Sequence, residues 1–403
     1  MVDVFNMSDM EGALHQAQAQ AAEQGQAEQA QEREQAQEQA LVLTELLYPL
    51  DEVEISAMES MLDRSIETKV LYFWLHELHV SGYNLADFMI RVYLMFYNVR
   101  NPLLEPYVTK KIAKYEQSGD IRHMASLASN LRASPADARV FVMWQHRNST
   151  PNTIYRARGA APKCPLSASI HHGDDIATAS LITSLVRRRG ADHVHRRIVD
   201  YYVEKIGCPN REAVDQEWVE RRQGHDTLRL MGIVAALDTI GTDLHPSMDN
   251  IPKRVSARQP DLEEVIETYK STAPQRHLYL AHKRRAWTSD TSFPFRLARR
   301  TVTDLREECA MRWEYYARTT PSWAPRLAEF NASFDAENNV VFPDDDHLED
   351  FYERYYMDFD EQPTDTQTMS LHPLSPITGE QWLAKYVPLG GHRAPIPDYG
   401  LTL

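Results

Sequence analysis

The chain has 403 residues, 43% apolar and 25% charged, with a formal net charge of −15. That length predicts two or three domains, and that composition a mostly globular body. It excludes a membrane span: the longest apolar runs, "VLYFWLHELHV" and "LADFMIRVYLMFYNV", are interrupted by His76, Glu77, Asp87 and Arg91.

The N-terminus "MVDVFNMSDMEG" is acidic and has no basic region leading into an apolar core, so no signal peptide is expected. Residues 13–40 are almost entirely Ala, Gln and Glu. Ala and Gln favour helix, yet no apolar stripe exists to bury, and such a helix is marginal in water. Residues 1–40 are therefore read as a disordered arm.

From Leu41 the periodicity is helical. In "NLADFMIRVYLMFYNV", Leu85, Phe88, Met89, Val92, Tyr93 and Phe96 fall on one face. In "IETKVLYFWLHEL", Val70, Leu71, Trp74, Leu75 and Leu78 do the same, and Tyr72 and Phe73 make that helix apolar nearly all round, so it should be central. Gly82 between them reads as a helix C-terminus and turn.

The pattern then repeats. Setting Gly82 on Gly190 brings Trp74 onto Ile182, Leu78 onto Val186, Ile90 onto Ile198 and Tyr93 onto Tyr201. Further on, "SGDIRHMASLASNL" resembles "GHDTLRLMGIVAAL", with Ile121, Met124 and Leu127 matching Leu228, Met231 and Val234. Each copy is expected to be a helical hairpin, a connecting helix and a fourth helix. The expected fold is mainly α. Helical subdomain 1 spans 41–146, a Pro-rich linker 147–164, and helical subdomain 2 spans 165–241. An α-rich C-terminal region (242–365) and an extended tail (366–403) follow. Within the C-terminal region, "DLEEVIETYKS" and the long stretch "RLARRTVTDLREECAMRWEYYA" read as helices. "ASFDAENNVVF" reads as the one small β-hairpin, and "DDDHLEDFYERYYMDF" as a last short helix.

Charge is unevenly spread. Residues 1–40 carry −7 and residues 329–365 carry −12, leaving residues 41–328 mildly basic. The strongest basic stretch is "RHLYLAHKRRAWTSDTSFPFRLARR" (276–300). It holds Arg276, Lys283, Arg284, Arg285, Arg296, Arg299 and Arg300 against the single acid Asp290, interleaved with Tyr279, Trp287, Phe293 and Phe295. Arginine forks grip phosphate and aromatic rings stack on bases, so DNA or RNA is one expected partner. The chain's own acidic stretch is the other. A second basic cluster, "RRRGADHVHRR" (187–197), sits at the hairpin turn of the second copy and reads as a solvated helix end.

Catalytic signatures are few. "SIHHGDD" with the later His225-Asp226 offers His171, His172, His225 and Asp226, the residue types of an HD-type metal-dependent hydrolase, with Asp238 beyond them. The context argues against it. His225-Asp226 follows "WVERRQG" at a helix start, and the first copy has Ser65 where the second has Asp174. Both are good N-caps, so one helix-start explanation covers both copies. Asp344, Asp345 and Asp346 lack the loop spacing of an EF-hand and read as an acidic helix start. No P-loop, dinucleotide fingerprint or paired-cysteine signature is present, and no cofactor is expected. Cys164, Cys208 and Cys309 are far apart, which suits a reducing intracellular compartment.

The stretch "WEYYARTTPSWAPRLAEFNASFDAENNVVFPDDDHLEDFYERYYMDFDEQP" resembles an uncharacterised family of nucleocytoplasmic large DNA viruses. The likeness is carried by Trp313 to Ala317, Pro321-Ser322-Trp323-Ala324, Phe342 to Tyr356 and Asp360 to Gln362, over about fifty residues. The Pro-Ser-Trp order departs slightly from that family's pattern. The resemblance implies a giant-virus origin, viral protein partners, and a place in the host-cell cytoplasm, the viral factory or the virion. It assigns no activity. Residues 166–207 are also similar to the helical collar of clamp-loader-type AAA+ ATPases, without the ATPase core, which implies a scaffold module. Together these lead to an expected non-enzymatic interaction or scaffold protein, contacting nucleic acid in replication, transcription or packaging.

Overall fold

A computed structural model describes residues 42–148, 164–206, 218, 224–240, 259–271 and 312–355. The architecture is mainly α, with one two-stranded antiparallel sheet among the described residues. The chain divides into two compact units, and the division does not follow chain order. One unit holds residues 42–51 with 312–355, and the other holds the described residues from 52 to 271.

The larger unit starts with α1 (Leu50–Leu62), whose first two residues belong to the smaller unit, and continues with α2 (Thr68–Val80). Leu71 to Leu78 of α2 are all buried, as its all-round apolar sequence predicts. Gly82 ends this helix with φ of 80°. Its N–H donates to the His79 carbonyl, and the N–H of Tyr83 donates to Leu78, a Schellman closure. Next come α3 (Leu85–Val92) and a π-helical turn, Tyr93–Tyr97, with all five of its residues buried. After them come α4 (Glu105–Ser118), α5 (Arg122–Ala133) and the short α6 (Arg139–Gln145).

The second copy is introduced by α7 (Pro165–His171). It consists of α8 (Asp175–Arg189), α9 (Ala191–Ile206) and α10 (Asp226–Ile240). Between α9 and α10 only Trp218, Gly224 and His225 are described; Trp218 is helical and buried. The two copies share their packing plan. The fourth helix, α5 in one and α10 in the other, packs on both helices of its hairpin. Six matched positions on or just before those fourth helices (Ile121/Leu228, Met124/Met231 and Leu127/Val234) are all buried, as are Trp74/Ile182 and Tyr93/Tyr201. Val186 and Ile90 are only partly buried, unlike their partners Leu78 and Ile198.

One expectation fails locally. Asp174 caps α8 by accepting from the Ala177 N–H at 2.9 Å. Ser65 does not cap α2: it bonds to Asp63, and Glu67 occupies the N-cap without a side-chain bond. The copies therefore share the helix but not the device that starts it.

Finally α11 (Gln259–Ser271) packs on α2 and buries Leu262, Val265 and Tyr269.

The smaller unit is built from α12 (Trp313–Ala317), α13 (Ala324–Glu329), the hairpin β1 (Ser333–Phe334) and β2 (Val340–Val341), and α14 (Asp345–Arg354). Ser333 pairs with Val341 and Phe334 with Val340, inside the hairpin expected at 332–342. Asn338 takes a left-handed φ of 65°, and Asp335 accepts from the Asn339 N–H at 2.7 Å to hold the turn. The long helix expected to run into Ala317 is interrupted, because Arg312 has φ of −137° and ψ of 38°, outside the helical region. Residues 296–311 lie outside the described residues. Trp313, Trp323, Leu327 and Phe351 form the core, closed by Leu43 and Leu47 from the start of the chain.

That closure is specific. The Thr320 hydroxyl accepts from the Leu43 N–H at 3.2 Å and donates to the Leu43 carbonyl at 2.7 Å. The Trp323 indole N–H donates to the Thr44 carbonyl at 3.1 Å, and Arg326 pairs with Glu45 at 2.7 Å. Helical periodicity from residue 41 onward places this stretch wholly in the first helical subdomain. The segment 42–51 is instead a component of the C-terminal unit. Asp344 caps α14 by accepting from the His347 N–H, as the acidic start predicts.

Thr320→Val keeps the shape of the side chain but removes two hydrogen bonds to the Leu43 backbone. Each intramolecular hydrogen bond lost costs about 0.5–1.5 kcal/mol. The expected result is a lower urea midpoint of tryptophan fluorescence, at an unchanged slope.

Candidate functional site

Buried and half-buried ion pairs of the larger unit form a seam that links the two helical copies. At its centre is Arg139, the first residue of α6. Its guanidinium grips Asp175 with Nε and Nη2, at 2.8 and 2.7 Å, and reaches Asp238 with Nη2 at 2.6 Å. Asp175 stands in the first turn of α8, where a carboxylate suits the helix dipole. Asp238 stands in the last turn of α10, where it does not. Arg139 and the Tyr202 hydroxyl, which donates to Asp238, compensate that placement. Burial works against the charge on Arg139, but its two carboxylates outweigh burial, and the guanidinium is held more firmly protonated than usual. Burial, and then Asp238, push the Tyr202 phenol well above its ordinary range.

Two further links flank this node. Arg229 of α10 meets Glu105 of α4 at 2.6 Å, with both side chains almost fully buried. Arg91 of α3 joins Glu54 of α1 and Asp87 of its own helix, each at 2.8 Å. Asp87 also receives His225 Nε2 at 3.0 Å, which ties α3 to the turn before α10. Gly232 of α10 lies near Asn98, just after the π-helical turn: a Cβ there would meet Asn98 Nδ2 at 3.5 Å, an ordinary contact.

These positions decide how the sequence candidates stand. His171 and His172 are exposed at the end of α7, and His171 Nδ1 lies 3.3 Å from the Tyr201 hydroxyl. His225 has φ of 56° and faces Asp87, while Asp226 starts α10. Asp238 belongs to the Arg139 node. Among the described residues, no three His, Cys, Asp or Glu side chains are grouped so that they could hold a metal ion. The hydrolase set of His171, His172, His225 and Asp226 is therefore not brought together as a metal site among the described residues. Arg276, Lys283, Arg284, Arg285, Trp287, Arg296, Arg299 and Arg300 lie outside the described residues.

Sequence reasoning missed Arg139, Arg229 and Glu105. A signal existed for Arg229, which lies among Leu228, Leu230 and Met231 in a helix that is apolar nearly all round. A charge in such a place must be paired. What the sequence does not carry is the identity of the partner, 124 residues away in the case of Glu105.

A second polar cluster lies under α11. The Tyr269 ring packs on the His76 ring, with centroids 4.6 Å apart, and His79 Nδ1 lies 2.8 Å from the Tyr115 hydroxyl. Burial lowers His76 to a pKa of about 4, with His79 and Lys270 contributing.

No protein-family model, no curated protein and no solved structure matches the chain. Among the described residues no helix is long and apolar enough to cross a membrane.

The seam and the α11 cluster should each make a measurable difference to stability. Arg139→Met leaves the half-buried Asp175 and Asp238 without their cation, a change that costs about 1.5–3 kcal/mol. Adding Asp175→Asn and Asp238→Asn should recover much of that loss in chemical denaturation. His76 stays neutral in the fold, whereas an unfolded His takes up a proton near pH 6.5. Stability should therefore fall as pH drops from 6.5 towards 4, by roughly 2–3 kcal/mol at most. His76→Gln should flatten that part of the urea-midpoint profile.

Proposed function

We propose that this chain is a non-enzymatic interaction or scaffold protein of a large DNA virus. It contacts nucleic acid in replication, transcription or packaging, in the host-cell cytoplasm or the viral factory. The observation that carries the reading is the segment 276–300, with seven Lys and Arg, one acid and four interleaved Phe, Trp and Tyr residues. Phosphate contacts from arginine supply affinity without sequence preference, and Trp287 supplies a stacking surface. The viral part rests on the resemblance of residues 313–362.

The seam supports a scaffold role. Arg139, Arg229 and Arg91 fix helices of one copy against the other or against α1. A body held in this way keeps its own surface in one geometry, which lowers the ordering cost of binding.

The test is fluorescence anisotropy of a labelled DNA or RNA oligonucleotide over a salt series. Arg284→Ala with Arg285→Ala should weaken binding and reduce the slope of log K against log salt by roughly 0.9 for each duplex phosphate that is no longer neutralised. If the wild-type chain shows no salt-sensitive binding to either polymer, the nucleic-acid part of the reading is wrong.

A further inference from the structure

The corner between α8 and α9 is the most basic exposed feature of the described residues. Arg187, Arg188 and Arg189 end α8, and Arg196 and Arg197 lie in the second turn of α9. All five are exposed. Among the described residues no carboxylate forms an ion pair with any of them. Gly190 alone joins the two helices, with φ of 84°, so both groups of arginines sit close to one tight turn.

By sequence alone, Arg187 to Arg189 read as a cation cap on a helix C-terminus. The structure weakens that explanation. At this corner one helix ends and the next begins, so the negative end of the α8 dipole lies beside the positive end of α9. Each end amounts to roughly half a charge, and the two largely cancel. Five guanidinium groups far exceed what such a field calls for.

A sixth guanidinium adjoins them. Arg147 lies 4.0 Å over the ring of Trp144, and Arg187 donates to the Asn148 side chain at 3.4 Å. Burial, and then the nearby charge of Arg187, make Arg147 easier to deprotonate than usual. Like charges are thus held near one another.

The corner is also built to stay in place. Trp218 stacks on His195 with ring centroids 4.7 Å apart and planes 9° apart. Its indole N–H donates to Asp192 at 3.0 Å. The first turns of α9 are therefore clasped from the side, and the one acid within 187–197 is engaged by an indole.

We infer that the α8–α9 corner is a second phosphate-binding surface, one that seats the backbone of a nucleic acid on Arg187, Arg188, Arg189, Arg196 and Arg197. The inference takes its ligand class from the nucleic-acid reading above but rests on different residues. Neighbouring antiparallel helices lie about 8–10 Å apart. Duplex DNA presents a charge about every 1.7 Å along its axis, so several phosphates fall within the reach of this corner. A membrane surface fits less well. The one exposed large hydrophobic residue among those described is Val341, which lies in the other compact unit.

The experiment compares three full-length chains by anisotropy with the same labelled duplex DNA over a salt series. They are the wild type, Arg187→Gln/Arg188→Gln/Arg189→Gln, and Arg284→Ala/Arg285→Ala. Glutamine retains helix propensity, and circular dichroism checks that the fold is intact. The triple variant should bind about tenfold or more weakly at moderate salt, with a salt slope reduced by roughly 0.9 for each phosphate it no longer engages. If the triple variant matches the wild type while the double variant is impaired, the corner inference is overturned and the function proposed above stands. If the triple variant alone is impaired, the corner stands and the assignment of residues 276–300 falls. Equal binding by all three chains overturns both assignments. Binding of the wild type to phosphatidylserine vesicles but not to DNA overturns the corner's assignment in favour of lipid.

Discussion

Arg139 is the constraint on which the larger unit depends. One guanidinium holds the start of α8 and the end of α10 from the first residue of α6. The planar fork is what makes this geometry available, because Arg presents several donors in fixed directions where a Lys presents a point charge. Asp238 would be poorly placed at the end of α10 without it. The arrangement is also why α6, only seven residues long, is a structural junction despite its length.

The two helical copies share a core plan and differ at their edges. Buried matches such as Met124 and Met231 repeat because each fourth helix must fill the groove of its own hairpin. Helix starts do not repeat. Asp174 caps its helix, whereas Ser65 turns back to Asp63. Hairpin turns also differ: Gly82 closes a Schellman motif, while Gly190 passes straight from one helix to the next. The shorter connection concentrates charge at one corner, and the first copy has no equivalent of Arg187 to Arg189 around Gly82.

The smaller unit depends on distant parts of the chain meeting. Residues 42–51 bring Leu43 and Leu47 to a core made otherwise from 313–351, and Thr320, Trp323 and Arg326 fasten them. The arginines here stack on rings as well: Arg318 lies 3.9 Å over Tyr315, and Arg326 lies 4.5 Å over Trp323. Cations on aromatic faces favour such desolvated contacts.

Local pattern is enough to read the helices at 68–80, 85–92 and 259–271, the hairpin near 333–341 and the helix start at Asp344. Apolar periodicity and turn chemistry act within a few residues, so the sequence carries them directly. The burial of "LYFWLHEL" is legible for the same reason. The basic corner is visible as letters, but its weight is not, because the cancelling helix ends and the clasp by Trp218 exist only once α8 and α9 meet. "SIHHGDD" with the later His225 and Asp238 carries the residue types of a metal site, yet His171 lies beside the Tyr201 hydroxyl, His225 faces Asp87 and Asp238 faces Arg139. Side-chain type is written in the chain, but pairing across a hundred residues follows from how helices pack. The sequence by itself determined the helices, the turns and the charge balance. Only the tertiary structure decided that Arg139 gathers Asp175 and Asp238, and that residues 42–51 belong with the C-terminal unit, because both depend on long-range burial that no local period encodes.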